Sequence, residues 1–191
     1  RAALLLWGLL VAGWATNTGA QHPDPGSPSS LHASWRRDAE LADVTFVDAL
    51  HGWAVGDHGA IWHTANGGEH WHPQHAPVRC SIRSVYFLNQ RTGWAVGGVS
   101  HRYTHVTSGI VLRTDDGGAH WVEWQRNPLP SLSKIEFFNM QQGYAIGGSS
   151  AMYPQGLLLT NDGGRSWTAP PDDQPYRWLD GDFRDPAHGS L

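Results

Sequence analysis

The sequence predicts an all-β chain, a β-propeller built of four-stranded antiparallel blades, with about three blades and the start of a fourth present. Three observations predict it. The phrase "GWAVGDHGAIWHTANGGEHW", Gly52 to Trp71, returns as "GWAVGG…IVLRTDDGGAHW", Gly93 to Trp121, and as "GYAIGG…LLLTNDGGRSW", Gly143 to Trp167. Phe46, Phe87, Phe137 and Phe183 each precede a glycine by six positions, at steps of 41, 50 and 46 residues, and periods of that size belong to propellers and solenoids. Within a unit, "ADVTFVD" and "SVYFLN" alternate, "GWAVG" and "AIWHT" are short β-rich runs bounded by glycine, and no stretch keeps a helical period. Four short strands per unit make one blade.

In chain order, the first residues are a different kind of text. "RAALLLWGLLVAGWATNTGAQ" has a basic start, an uncharged apolar run from Ala2 to Ala15, and small residues at Thr18 and Ala20. Residues 1–20 therefore read as a secretory signal with cleavage after Ala20, which predicts an exported protein, periplasmic or extracellular. The run is shorter than the ~20 residues that span a bilayer, so membrane contact is expected only through this segment. From a start at Arg1 instead of Met, the true beginning is expected upstream. Residues 21–34 are rich in Pro, Ser and Gly and read as a linker, and residues 35–191 as the partial propeller. Its units run over about 41–75, 80–126 and 131–170, with a fourth begun at 176. Trp35 in "HASWRRD" is either an outer strand that completes a last blade or an ordinary linker residue.

Composition bounds the chemistry. Of 191 residues, 40% are hydrophobic and 16% charged, which suits a packed core and not a disordered chain. A net charge of −4 gives no reason to expect nucleic acid as a partner. Cys80 stands alone, without the spacing of a zinc site or an intrachain disulfide. No cofactor and no metal are expected, although "HWHPQH" brings His70, His72 and His75 together with His63 on the neighbouring strand.

Each unit ends in a turn whose residues have separate tasks. In "TDDGGAHW", Thr114 closes the third strand, Asp116 accepts backbone N–H groups, Gly117 and Gly118 supply positive φ, and Trp121 folds back over the hairpin. Thr160, Asp162, Gly164 and Trp167 repeat the set, and Thr64, Asn66, Gly68 and Trp71 repeat it with an amide in place of the acid. Asn keeps the acceptor but not the charge, so these acids read as structural and no catalytic residue is assigned.

This S/T-x-D-x-G-x-x-W turn is similar to the Asp-box, or BNR, repeat of β-propellers. The longer combination of GWAVG with the T-x-DGG-x-x-W turn resembles the photosystem II assembly and stability factor family, from about Leu41 to Trp167. That resemblance implies a seven-bladed ring, no enzymatic activity, and a protein partner of the membrane-protein assembly-intermediate kind. The alternative from the same repeat class is an extracytoplasmic sialidase- or glucanase-like glycoside hydrolase acting on polysaccharide. Against it, the chain lacks the R-I-P motif of sialidases.

Candidate contact residues lie where the copies differ. The insertions "GGVSHRYTHVTSG" and "GGSSAMYPQG" carry His101, Arg102, Tyr103, His105 and Tyr153. Extended loops on a rigid template are where recognition is usually found. Arg79 and Arg83 flank the start of the second unit's first strand and read either as a solvated pair or as cations at the channel mouth. Trp53 and Val55 at one end of the array, and Tyr144 and Ile146 at the other, are expected on open faces that no neighbouring blade covers.

Overall fold

The computed structural model describes residues 39–100, 107–170, 182–185 and 188–190; the proposed signal, the linker, Trp35 and the loop from His101 to His105 lie outside them. Strands β1 (Leu41–Phe46), β2 (Gly52–Gly56), β3 (Ile61–Thr64) and β4 (His72–Gln74) form the first antiparallel sheet in simple order. Strands β5 (Ser81–Phe87), β6 (Gly93–Ser100), β7 (Thr107–Thr114) and β8 (Val122–Glu123) form the second. The third sheet has three strands, β9 (Leu132–Phe137), β10 (Gly143–Gly147) and β11 (Leu157–Thr160), where four were expected. A lone bridge between Leu159 and Thr168 stands in place of the fourth, and after Ala169 come Pro170 and Pro171, which lack N–H donors. β12 (Asp182–Asp185) and β13 (His188–Ser190) pair as a hairpin.

The same cross-strand pair opens every unit: Phe46 opposite Gly52, Phe87 opposite Gly93, Phe137 opposite Gly143 and Phe183 opposite Gly189. In the first three, a Cβ on the glycine would lie 2.6–2.7 Å from the phenylalanine ring, so the ring lies flat over a position only glycine leaves vacant. The residue after that glycine then reaches the next sheet. Trp53 stacks on Phe87 with ring centroids 3.6 Å apart, and Trp94 stacks on Phe137 at 3.7 Å. Their indole N–H groups donate across the gap to carbonyls of the next sheet's turn, Trp53 to Gly117 at 3.0 Å and Trp94 to Gly163 at 2.9 Å. Each phenylalanine meets the turn tryptophan of its own sheet edge-on: Phe87 with Trp121 at 5.7 Å and Phe137 with Trp167 at 6.4 Å. The core is therefore laid down between sheets. One cluster joins Trp53, Val55 and Ile61 to Ile82, Phe87 and Leu112, and a second joins Trp94, Val96 and Val111 to Ile135, Phe137 and Leu158.

The expectation for the end faces was wrong. Trp53 and Val55 have no exposed surface, because that side of the first sheet faces the second. Tyr144 and Ile146 are buried too, in a cluster with Leu157. The open face of the first sheet carries the opposite parity, the row Val44, Ala54 and Trp62, with Leu41, Val44 and Phe46 about half exposed. A shallow apolar groove of about 670 Å³ runs over it past Trp71.

The turn at the end of each third strand is built the same way three times. The threonine hydroxyl accepts the N–H of the second glycine at 3.0 Å (Thr64 and Gly68), 2.9 Å (Thr114 and Gly118) and 2.9 Å (Thr160 and Gly164). It donates to Oδ1 of Asn66, Asp116 or Asp162, at 2.9, 2.8 and 3.0 Å. The same Oδ1 accepts the N–H of His70, His120 or Ser166, each at 2.9 Å. Both glycines take positive φ, for example 75° at Gly117 and 89° at Gly118. The remaining side-chain atom sets the variation: Asp116 Oδ2 lies 2.7 Å from His120 Nδ1, whereas Asn66 presents an amide to His70 Nδ1 at 2.9 Å. Burial pushes the Asp116 carboxyl up, but the N–H and ring of His120 and the Thr114 hydroxyl outweigh it and hold the pKa at about 2. Asp162 is lowered by the same balance, with burial opposed by the Ser166 hydroxyl and N–H.

Two measurements check this account. Trp94→Ala should cost about 3–5 kcal/mol in urea unfolding, the range for deleting a fully packed aromatic, while Trp62→Ala on the open face should cost less than half as much. Asp116→Ala should cost about 1–2 kcal/mol, and Asp116→Asn much less, since Asn66 already serves in this position. With a depressed folded pKa, the contribution of Asp116 is complete above its ordinary value of 3.8 and is lost as pH falls toward about 2. Unfolding of Asp116→Asn should accordingly show a shallower acid limb than wild type.

Candidate functional site

Antiparallel order sorts the connections to two ends. The β1–β2, β5–β6 and β9–β10 turns share one end with the threonine–glycine turns, and the first glycine of each of those turns donates to them: Gly67 to Leu50, Gly117 to Arg91 and Gly163 to Gln141, at 2.8–2.9 Å. The opposite end holds the loops between second and third strands and the passages from one sheet to the next. Of the candidate contact residues read from the sequence, Arg79, Arg83 and Tyr153 belong to that opposite end or to the inner edge beside it, and His101, Arg102, Tyr103 and His105 lie outside the described residues.

Arg79 is exposed in the passage leading into β5, and Arg83 is exposed within it. β5 breaks register between Ile82 and Ser84, so Arg83 is the bulged residue, and β1 and β9 break register at the matching places, Ala42 and Ser133. All three lie four residues before the recurring pairing phenylalanine of their own sheet, and all three are exposed. The first strands pack against one another, β1 on β5 and β5 on β9, which makes them the inner edge of the array. A bulge there turns its side chain out of the ladder, and of the bulges in β1, β5 and β9 that of β5 carries a cation. A guanidinium so held suits a carboxylate or a carbonyl-rich segment.

The loops meet the candidates unevenly. Much of the second unit's insertion is strand: β6 and β7 each extend to eight residues, and Gly98 and Gly109 lie so close to Ser131 and Pro130 that a Cβ at either would collide with them. Tyr153 in the third unit's insertion is only 2% exposed; its hydroxyl donates to the Trp167 carbonyl at 3.1 Å and its ring belongs to the second core cluster. It braces the loop and offers no contact surface, a correction to the sequence reading. Burial also raises its phenol pKa. The histidines near "HWHPQH" are dispersed in role: His70 bonds Asn66, His63 lies on Trp53 with centroids 4.8 Å apart, and His72 and His75 are exposed. Among the described residues no group of three or more His, Cys, Asp or Glu is placed to hold a metal ion.

Two features were missed in the sequence. Asp48, Asn89 and Asn139, each two residues after the phenylalanine, cap the first turn of their units by accepting two successive backbone N–H groups at 2.8–2.9 Å. The repeated F-x-[DN] would have revealed them. His58, exposed at the tip of the loop between β2 and β3, takes the left-handed conformation (φ 59°, ψ 23°), held between Asp57, whose N–H donates to Glu40, and Gly59, whose N–H donates to Cys80.

Comparison with known proteins places this geometry. The family model described as photosynthesis system II assembly factor YCF48 matches residues 30–169. A solved structure titled YCF48 bound to D1 peptide superposes with a TM-score of 0.54 at 27% identity, covering 69% of this chain and 39% of that one. YCF48 from Cyanidioschyzon merolae gives the same TM-score of 0.54 and the same coverages of 69% and 39% at 23% identity, a likeness of fold. The chain thus spans about two fifths of the length of the structures it matches. A search of curated proteins finds no match. With the family model covering most of the chain, the protein belongs to the photosynthesis system II assembly factor YCF48 family.

Proposed function

We propose that this chain forms part of a non-enzymatic, exported β-propeller that binds a protein segment during photosystem II assembly, with Arg79 and Arg83 at the inner edge as contact residues. Membership of the family carries the reading, and the bound D1 peptide of the related structure supports a peptide as partner. Two features of the chain agree with it. The repeated carboxylates Asp116 and Asp162 are engaged in backbone bonds of their own turns, as scaffold. Exposed Arg83 stands on a strand whose neighbours fix it, and exposed Arg79 in the passage leading into that strand, so a partner meets backbone positions that lose little freedom on binding. The N-terminal apolar run supports export, and N-terminal sequencing of the mature chain should read from Gln21.

The test is binding of a D1-derived peptide to the chain. Arg79→Ala and Arg83→Ala should each raise Kd by about tenfold, equivalent to about 1.4 kcal/mol, and affinity should fall with added salt. Asp162→Ala should leave the affinity per folded molecule unchanged. Equal Kd values for wild type and both arginine variants would refute the assignment of the contact face.

A further inference from the structure

The joint between the first and second sheets differs from its neighbour in the slot beside the bridging tryptophan. Cross-strand pairing sets a residue of the third strand beside the tryptophan that bridges to the next sheet: His63 beside Trp53, Arg113 beside Trp94, Leu159 beside Tyr144. In the second sheet the slot holds a permanent cation. The Arg113 guanidinium lies 5.5 Å from the Trp94 ring and 4.5 Å from Trp124, and Asp115 accepts from it at 2.7 Å. In the third sheet the slot is neutral. In the first it is an imidazole, the one side chain whose charge changes near neutral pH.

The surroundings of His63 do not provide for that charge. Ala65 stands where Asp115 balances Arg113. His72 is the cross-strand partner on β4, and the His51 ring stacks on His63 with centroids 6.3 Å apart. The carboxylate close by, Asp48, has both oxygens 3.0 Å from His51 Nδ1 and accepts the Gln90 amide of the second sheet at 2.7 Å. Trp53 fills the other side, itself covered by Phe87. A proton on His63 thus meets two further imidazoles, an indole and a carboxylate already shared between His51 and Gln90.

We propose that this joint is acid-sensitive: protonation of His63 beside Trp53 weakens the contact between the first and second sheets, which the arginine and leucine at the matching positions do not allow in the others. Burial, then the nearby His51 and His72, lower the His63 pKa below its ordinary 6.5. A base depressed in the folded state is protonated first in the unfolded chain. The stability it carries is therefore present above pH 6.5 and is lost as pH falls from there to the folded value.

The experiment follows unfolding of the chain by tryptophan emission from pH 8 to pH 5, with NMR of the histidine rings and the Trp53 indole N–H in parallel. Wild type should lose several degrees of Tm below pH 6.5; His63→Leu, which installs the third sheet's residue, and Ala65→Asp, which supplies the missing counter-charge, should each lose less. In wild type alone, the His63 ring should titrate with a midpoint below 6.5, and the Trp53 indole resonance should move with the same midpoint. Parallel Tm profiles for wild type and both variants would overturn the proposal. So would a His63 midpoint at or above 6.5, or an indole resonance that stays fixed while His63 titrates.

Discussion

A tryptophan that leaves its own sheet to lie on the next sheet's phenylalanine is the contact on which the rest of this structure depends. It explains the composition of the repeat better than any local propensity does. Glycine precedes the tryptophan because the sheet's own phenylalanine must lie flat across that position. The second glycine pair exists because its first carbonyl must face the incoming indole: Gly117 receives Trp53, and Gly163 receives Trp94. Gln74 shows how tightly this is fitted. Its amide donates to the same Gly117 carbonyl at 2.9 Å, its oxygen takes the Trp121 indole at 3.1 Å, and it occupies the space a side chain at Gly118 would need. One motif thus serves two sheets at once, which is why its parts recur together.

The joints are equivalent in plan and different in detail. Between the second and third sheets Trp124 takes over from Gln74 as the second donor to the turn, at 2.9 Å from the Gly163 carbonyl, and is clasped between the guanidinium groups of Arg113 and Arg165 at 4.5 and 4.3 Å. In the third sheet Tyr144 replaces the tryptophan, and its hydroxyl turns back to Glu136 of the same sheet at 2.7 Å. Each joint keeps the aromatic slab and redistributes the polar bonds around it. Charge enters where a guanidinium can be both stacked and paired, and imidazole enters where it is neither fully buried nor balanced.

Much of this was legible in the sequence. The four strands of the first two units, the turn with its two positive-φ glycines, and the acid that accepts backbone N–H groups all follow from residue types at fixed spacing. What periodicity cannot supply is which neighbour each face of a sheet meets. Alternation puts Val44 and Phe46 on one side of their strand and Thr45 on the other, but it is the register and the packing that set Trp53 on the side covered by the second sheet and leave the Val44 side open. Tyr153 misled for a related reason: its loop is polar and longer than the template, yet a single hydroxyl bond to the Trp167 carbonyl draws the ring into the core. The short third sheet was legible in principle, from Pro170 and Pro171 directly after the position its outer strand would occupy.

The distances between motif residues divide the fold into parts that tolerate rewriting and parts that do not. From turn tryptophan to the next phenylalanine the interval is sixteen residues each time, Trp71 to Phe87, Trp121 to Phe137 and Trp167 to Phe183, while the stretch between second and third strands takes three different lengths. One residue added inside a glycine turn would move its carbonyl by up to about 3.3–3.6 Å, more than the reach of the indole bond it must accept. Between Gly148 and Tyr153, whose ring must stay in the core, no such delivery is required: Gly147 and Gly156 close the loop base with a 2.8 Å backbone bond, and Gly148 ties back to Ser131 at 2.8 Å. That stretch is a natural docking port for foreign sequence. Lineages are free to exchange recognition segments there, and an engineer can graft a peptide there, without unseating the aromatic joints on which the array stands.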